Sequence, residues 1–245
     1  MTSKRIEYKE RKEIVLGIVV NEYIKSVTPV SSGYIAQKYH LDLSPATIRN
    51  ILAELEEDGY LTHPHTSAGR IPTQQGYRYY VDHLMHEIQL LGEEKERIKV
   101  EYQKEVKDLE TLLDRTSEVI ADLTHYTSIV SVDGWTRKIF CKGTSHVIEY
   151  PDIRDLNKIK EILYALEEKE RILELLNRDL EEKINIFIGH ELTFSAIDNC
   201  SLVISQYKVS SGPSGRIAVL GPTCMNYERV VSTLDYFSEL MGKVL

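Results

Sequence analysis

Tryptophan occurs once, cysteine three times and phenylalanine four times in 245 residues, and no run of eighteen apolar residues exists. The last absence argues against a membrane-spanning helix, which needs about 20 apolar residues. The start, Met-Thr-Ser-Lys-Arg-Ile-Glu, lacks the apolar segment of a secretory signal, so the expected location is the cytoplasm, with no membrane partner. Cys141, Cys200 and Cys224 are odd in number and show no metal-ligand spacing. That suits a reducing compartment and leaves them as buried bystanders. The marks of an enzyme are missing too. No phosphate-binding loop with its Lys and Ser/Thr is present, nor a Gly-x-Ser-x-Gly elbow, and His190-Glu191 lacks the second His of a zinc protease helix. The glycine-rich Ser210 to Gly215 lies between expected strands and reads as a hairpin turn. No catalytic residue, cofactor or metal is therefore expected.

An excess of basic residues is also lacking, since the net charge is −8. The charge is unevenly divided, however. Residues 1–80 hold ten Lys/Arg against nine Asp/Glu, and the remainder holds twenty against twenty-nine. Lys4, Arg5, Lys9, Arg11 and Lys12 crowd the first part, a split compatible with one domain binding nucleic acid. The length, with 42% hydrophobic and 28% charged residues, allows a sizeable core and two domains.

What is present centres on Ser44 to Thr73. Ser44 is a good helix N-cap and Pro45 suits the first helical position. Ile48, Ile51, Leu52 and Leu55 recur on one face, and Gly59 is a natural stop. Ala46, Asn50 and Ala53 fall on the opposite strip, with Thr47 and Arg49 on its flanks. A strip that is small near its N-terminus and carries hydrogen-bonding side chains suits entry into a DNA major groove. For Arg49 the alternative is an ordinary surface charge; Asn50, central on the strip, is the better candidate for a base edge.

Ahead of this helix, Glu7 to Ile24 reads as a helix burying Leu16, Val19, Val20, Tyr23 and Val27, ended by Thr28-Pro29. Ser31 or Ser32 caps a short second helix carrying Ile35 and Tyr39. Three helices with a tight turn before the third make a helix-turn-helix unit. After Gly59, Tyr60-Leu61-Thr62 and Arg70-Ile71 read as strands around a loop tip, together a wing able to touch the DNA backbone. The expected DNA contacts are Ser32, Ser44, Ala46, Thr47, Arg49 and Asn50, with His63, His65, Thr66, Ser67 and Arg70 from the wing; Arg70 is the strongest wing candidate. A solvated loop is the other reading of the two histidines.

From Leu84, a 3.5-residue spacing picks out Leu84, Ile88, Leu91, Lys95, Ile98, Tyr102, Glu105, Leu109, Leu112, Thr116, Val119 and Leu123, nine of twelve apolar. One long helix or two stacked ones follow, serving either as a dimer contact or as a cover for the chain's own sheet. Strands are expected at Thr127 to Val132, Arg137 to Cys141, His146 to Tyr150, Ile184 to Ile188, Leu202 to Tyr207 and Arg216 to Leu220. Helices are expected over Asp155 to Leu180, in two pieces, and over Tyr227 to Val244. This makes an α+β domain of the kind that senses small molecules or holds partners.

Ser44-Pro45-Ala46-Thr47-Ile48-Arg49-Asn50, the Thr66-Ser67-Ala68-Gly69-Arg70-Ile71-Pro72-Thr73 loop and Gly76-Tyr77-Arg78-Tyr79-Tyr80-Val81-Asp82 resemble the heat-inducible transcription repressor family HrcA of bacteria. The resemblance reaches the C-terminus through Glu191, Asn199-Cys200-Ser201-Leu202, Gly221-Pro222 and Met225-x-Tyr227-x-x-Val230-Val231. It implies an N-terminal winged helix-turn-helix domain over 1–75, a long connecting helix or dimerisation segment over 76–125, and a C-terminal GAF-like α/β sheet domain over 126–245. It also implies a dimer on an inverted-repeat operator in double-stranded DNA, upstream of chaperone operons, and dependence on the GroEL chaperonin. Two departures stand out. The chain is shorter than members of the family by roughly a third, about a small subdomain at ordinary domain sizes, and the missing part falls between Thr124 and Gly143. Cys224 stands where relatives usually show Arg. Two other functions fit a winged helix joined to a sheet domain: a protein-binding adaptor, and a metabolite-responsive regulator.

Overall fold

The computed structural model describes the chain apart from residues 1, 66–67, 87–89, 91, 106–107, 135–137, 152, 154, 179, 181, 210–211 and 245, and apart from the side chains of 2–7, 94, 97, 101–105 and 244. It forms two compact units, Met1–His86 and Glu87–Leu245. No helix among the described residues is long and apolar enough to cross a membrane.

The first unit opens with α1 (Thr2–Ser26), α2 (Ser32–Lys38) and α3 (Pro45–Glu57). Leu16, Val19 and Val20 of α1 are buried with Ile35 of α2 and with Ile48, Ile51, Leu52 and Leu55 of α3. Each such side chain contributes about 2 kcal/mol on leaving water, so one apolar stripe per helix suffices to close the bundle. A two-stranded ribbon follows, β1 (Leu61–Thr62) against β2 (Ile71–Pro72), with Leu61 opposite Pro72 and Thr62 opposite Ile71. Beyond β2, α4 (Gln74–Tyr79) runs into a π turn over Tyr80–Leu84. Both belong to this unit: Tyr80 is buried and donates to Asn21 Oδ1 (2.9 Å), and Tyr79 donates to Glu13 Oε1 (2.7 Å).

The second unit contains α5 (Gly92–Glu105) and α6 (Leu109–Thr124). They are two helices, because the backbone at Asp108 is extended (φ −151°, ψ 172°) and its carboxylate caps α6 by accepting from Thr111 N–H. The heptad stripe of α6 turns inward: Leu112, Thr116 and Val119 are buried, α6 packs on the sheet, and Ser117 Oγ donates to the carbonyls of Ser128 (3.1 Å) and Phe140 (3.2 Å). Over α6 the stripe therefore covers the chain's own sheet, as one of the two sequence readings had it. Ile88, Leu91 and the side chains of Tyr102 and Glu105 lie outside the described residues.

The sheet is antiparallel throughout, with strands β3 (Thr127–Val132), β4 (Ile139–Lys142), β5 (Ile184–Ile188), β6 (Cys200–Lys208) and β7 (Ser214–Pro222) in the order β4-β3-β7-β6-β5. Helices α6 and α9 (Tyr227–Val244) pack on it, and α7 (Leu156–Glu167) and α8 (Lys169–Leu176) join Ile129, Leu202, Ile204, Ala218 and Leu220 in one core. The segment expected as a strand at His146 to Tyr150 is instead a 3-10 turn, Thr144–Glu149. Gly143 enters it at φ +73°, and Val147 and Tyr150, three residues apart, are the buried pair. A strand would have placed them on opposite faces.

Candidate nucleic-acid interface

Helix α3 is set by local chemistry. Ser44 Oγ accepts from Thr47 N–H (3.1 Å), Pro45 occupies the first turn, and Gly59 leaves the helix at φ +82°. With the apolar face buried, Ser44, Ala46, Arg49 and Asn50 are exposed together at the N-terminal half of α3. Thr47 is half-buried, and its hydroxyl lies 2.9 Å from Ser44 Oγ. Ser32, the first residue of α2, is half-buried; the cap of α2 is Ser31, whose Oγ accepts from Tyr34 N–H (3.2 Å).

The acidic C-terminal half of α3 is tied into the unit. Glu54 accepts from the Tyr8 hydroxyl (2.6 Å), and Lys12 Nζ reaches Asp58 (2.7 Å) and Glu54 (3.3 Å). Burial works against the charge on Lys12, yet the two carboxylates outweigh it and raise its pKa above the ordinary lysine value. Glu56 pairs with Arg70 Nη2 (2.7 Å) and with His63 Nδ1. Three of the four acids that would repel a phosphate backbone thus face cations of the same unit. Lys12, counted by sequence among the N-terminal basic residues, serves this internal clamp.

The wing is seated through its base. Val30 and Arg70 form a bridge with N–H to carbonyl distances of 2.9 and 2.8 Å. Thr73 Oγ1 donates to Gly59 O (2.7 Å) and accepts from Gly76 N–H (3.1 Å). Around the tip His63 and His65 are exposed, Arg70 is half-buried, and Thr66 and Ser67 lie outside the described residues.

One cluster was missed by sequence. Glu22, almost fully buried on α1, accepts from Tyr39 (2.6 Å), Lys38 Nζ (2.7 Å) and Tyr34, which joins α1 to α2. Burial alone would raise its pKa, but the ammonium and the hydroxyls hold it at about 2. The available signal was an acid beside the apolar residues Val19, Val20 and Tyr23.

Comparison with known proteins identifies the family of the chain. The family model described as "HrcA protein C terminal domain" matches residues 131–231. The heat-inducible transcription repressor HrcA of Desulforudis audaxviator is 32% identical over 335 aligned positions, covering 96% of this chain and 97% of that protein. That of Pelotomaculum thermopropionicum is 30% identical, covering 96% of each. Because 335 aligned positions exceed the 245 residues present, at least 90 positions of the alignment have no residue in this chain. A crystal structure described as "a hypothetical protein" shares the fold at a TM-score of 0.72 and 19% identity, covering 96% of this chain and 98% of the other. The chain belongs to the HrcA family of heat-inducible transcription repressors.

Proposed function

We propose that this chain is a cytoplasmic, non-enzymatic transcription repressor that reads double-stranded DNA with α3 and steadies itself on the phosphate backbone with the wing. The observation that carries the proposal is the polarity of α3: Ser44, Ala46, Arg49 and Asn50 are exposed at one end, while Glu54, Glu56 and Asp58 are paired within the unit at the other. Asn50 offers the amide that pairs with an adenine edge, Arg49 the fork that pairs with guanine or phosphate, and Ala46 a surface small enough to admit the groove wall. Ser44, Thr47 and Ser32 are proposed as further hydroxyl contacts, and His65, Thr66 and Ser67 as contacts from the wing.

Two protomers would meet an inverted repeat, matching two-fold protein to two-fold operator. Family membership supports chaperone operons as targets, heat as the releasing signal and the GroEL chaperonin as a partner of the folded state. Selection of bound duplexes from random DNA supplies the operator. Gel-shift titration then tests the assignment: Asn50→Ala and Arg49→Ala each lower specific affinity by about 1–3 kcal/mol, and unchanged affinity in both refutes it. Wild-type affinity falls steeply with salt through counterion release, which separates a DNA reader from a protein-binding adaptor.

A further inference from the structure

We propose that Arg70 and Glu56 form the joint that aims the wing, making both of them positioning residues and leaving contact with the DNA backbone to the wing tip. The inference rests on the DNA-binding function proposed above and changes the role expected of Arg70 within it.

Arg70 is committed at both ends. Its backbone pairs with Val30 in both directions, at 2.9 and 2.8 Å, where the chain passes from α1 to α2. At the preceding residue a side chain could not be accommodated: a Cβ on Gly69 would lie 2.5 Å from the carbonyl carbon and oxygen of Val30. The guanidinium then turns toward α3, with Nη2 2.7 Å from Glu56 Oε2 and Nη1 3.5 Å from Ala68 O, while Nε is buried. Only 21% of the side chain is exposed. An arginine that grips phosphate presents its fork of donors outward; this one faces inward.

Glu56 completes the joint. Its second oxygen meets His63 Nδ1, so one carboxylate holds the residue that follows β1 and the residue that precedes β2. Those are the points where the wing leaves the body of the unit and rejoins it. Glu56 also belongs to the last turn of α3, the helix proposed to read bases. The base of the wing is thereby fixed relative to the helix proposed to read bases. Such a joint works by removing alternative wing positions, so that the ordering cost is met before DNA arrives. Lysine cannot replace Arg70 here, because a point charge lacks the planar fork that serves Glu56 and the Ala68 carbonyl together.

The test uses the full chain and the duplex that wild type selects. Variants Arg70→Ala, Glu56→Ala, the double alanine, and the exchange Glu56→Arg with Arg70→Glu are titrated across a range of salt, well below the unfolding temperature. Each single variant weakens binding about tenfold, the double alanine is no weaker than either, and the exchange recovers most of the loss; the salt slope stays at the wild-type value. The proposal is overturned if Arg70→Ala reduces the salt slope by about one while Glu56→Ala leaves affinity unchanged or improves it, which is the behaviour of a phosphate contact. Hydrogen exchange at the amides of Arg70 and Ile71 needs no DNA. It accelerates in Glu56→Ala if the joint holds the wing, and unchanged exchange removes the joint. Should wild type select no duplex at all, the DNA-binding function fails, and the exchange measurement alone still decides whether Glu56 anchors the wing.

Discussion

Glu22 is a carboxylate on a helix face otherwise made of Val15, Ile18 and Val19, and its partners explain why an ion is tolerated there. A buried charge is costly unless each lone pair is met. Tyr34, Tyr39 and Lys38 meet them, and in doing so they fix the angle between α1 and α2 on which α3 rests. Burial and the hydrogen bond to this carboxylate push the Tyr39 hydroxyl up to about 12, so it stays a donor throughout the physiological range. The pH dependence follows from the sign of the Glu22 shift. Its folded pKa of about 2 lies below the ordinary 4.5, so its contribution is complete above 4.5 and is lost as the pH falls from there toward 2. Glu22→Gln keeps the shape and removes the charge. Urea denaturation should find the variant about 2 kcal/mol less stable than wild type near pH 7, with the difference closing between pH 4.5 and 2. A gap that persisted at pH 2 would mean that packing, not charge, is what the substitution disturbs.

At the scale of elements, the segment from Gly69 to Gly76 shows what a sequence makes visible and what it hides. That a wing follows α3 was legible, because β1 and β2 flank a Pro-, Gly- and Ser-containing tip. So was α3 itself, since Ser44, Pro45, the apolar positions and Gly59 are local signals that no tertiary contact overrides. The direction in which Arg70 points was not legible: it depends on Glu56, fourteen residues earlier in the chain. The same holds for the turn at Thr144–Glu149, where a β-rich composition yields to a glycine at positive φ and to the spacing of two buried residues. Gly76 is a further case, since it sits inside α4 where alanine would be the better helix former. A Cβ there would lie 2.2 Å from Tyr60 O, against backbone that also accepts from Thr73 N–H. Gly76→Ala should therefore destabilise by about 1–3 kcal/mol despite its helix propensity, whereas Gly92→Ala, with nothing within 4 Å, should be neutral or slightly stabilising. Chemical denaturation of both variants checks this. Equal effects would mean that α4 shifts freely off the ribbon.

For the whole molecule, the uneven charge becomes an argument about docking. The first 80 residues are nearly neutral and the rest carries the acidic excess, so the first unit is the one a duplex approaches without net repulsion. The exposed end of α3 spans only a few residues, enough for a short half-site on the function proposed above. In the proposed two-fold complex, specificity comes from two reading units at a fixed separation. The aligned relatives have at least 90 positions with no counterpart here. The two-fold arrangement proposed above predicts a sharp dependence on DNA geometry. Two half-sites are met together only when they lie on the same face of the duplex, and the face repeats about every 10.5 base pairs. Inserting five base pairs between the half-sites of the selected operator rotates one of them by about half a turn. Affinity should then drop to that of a single half-site, while sedimentation of the protein alone stays at the mass of a dimer. If the lengthened operator binds as well as the original, the two reading units are not held at a fixed separation. If the protein sediments as a monomer and the half-site alone binds fully, the repeat is read one protomer at a time.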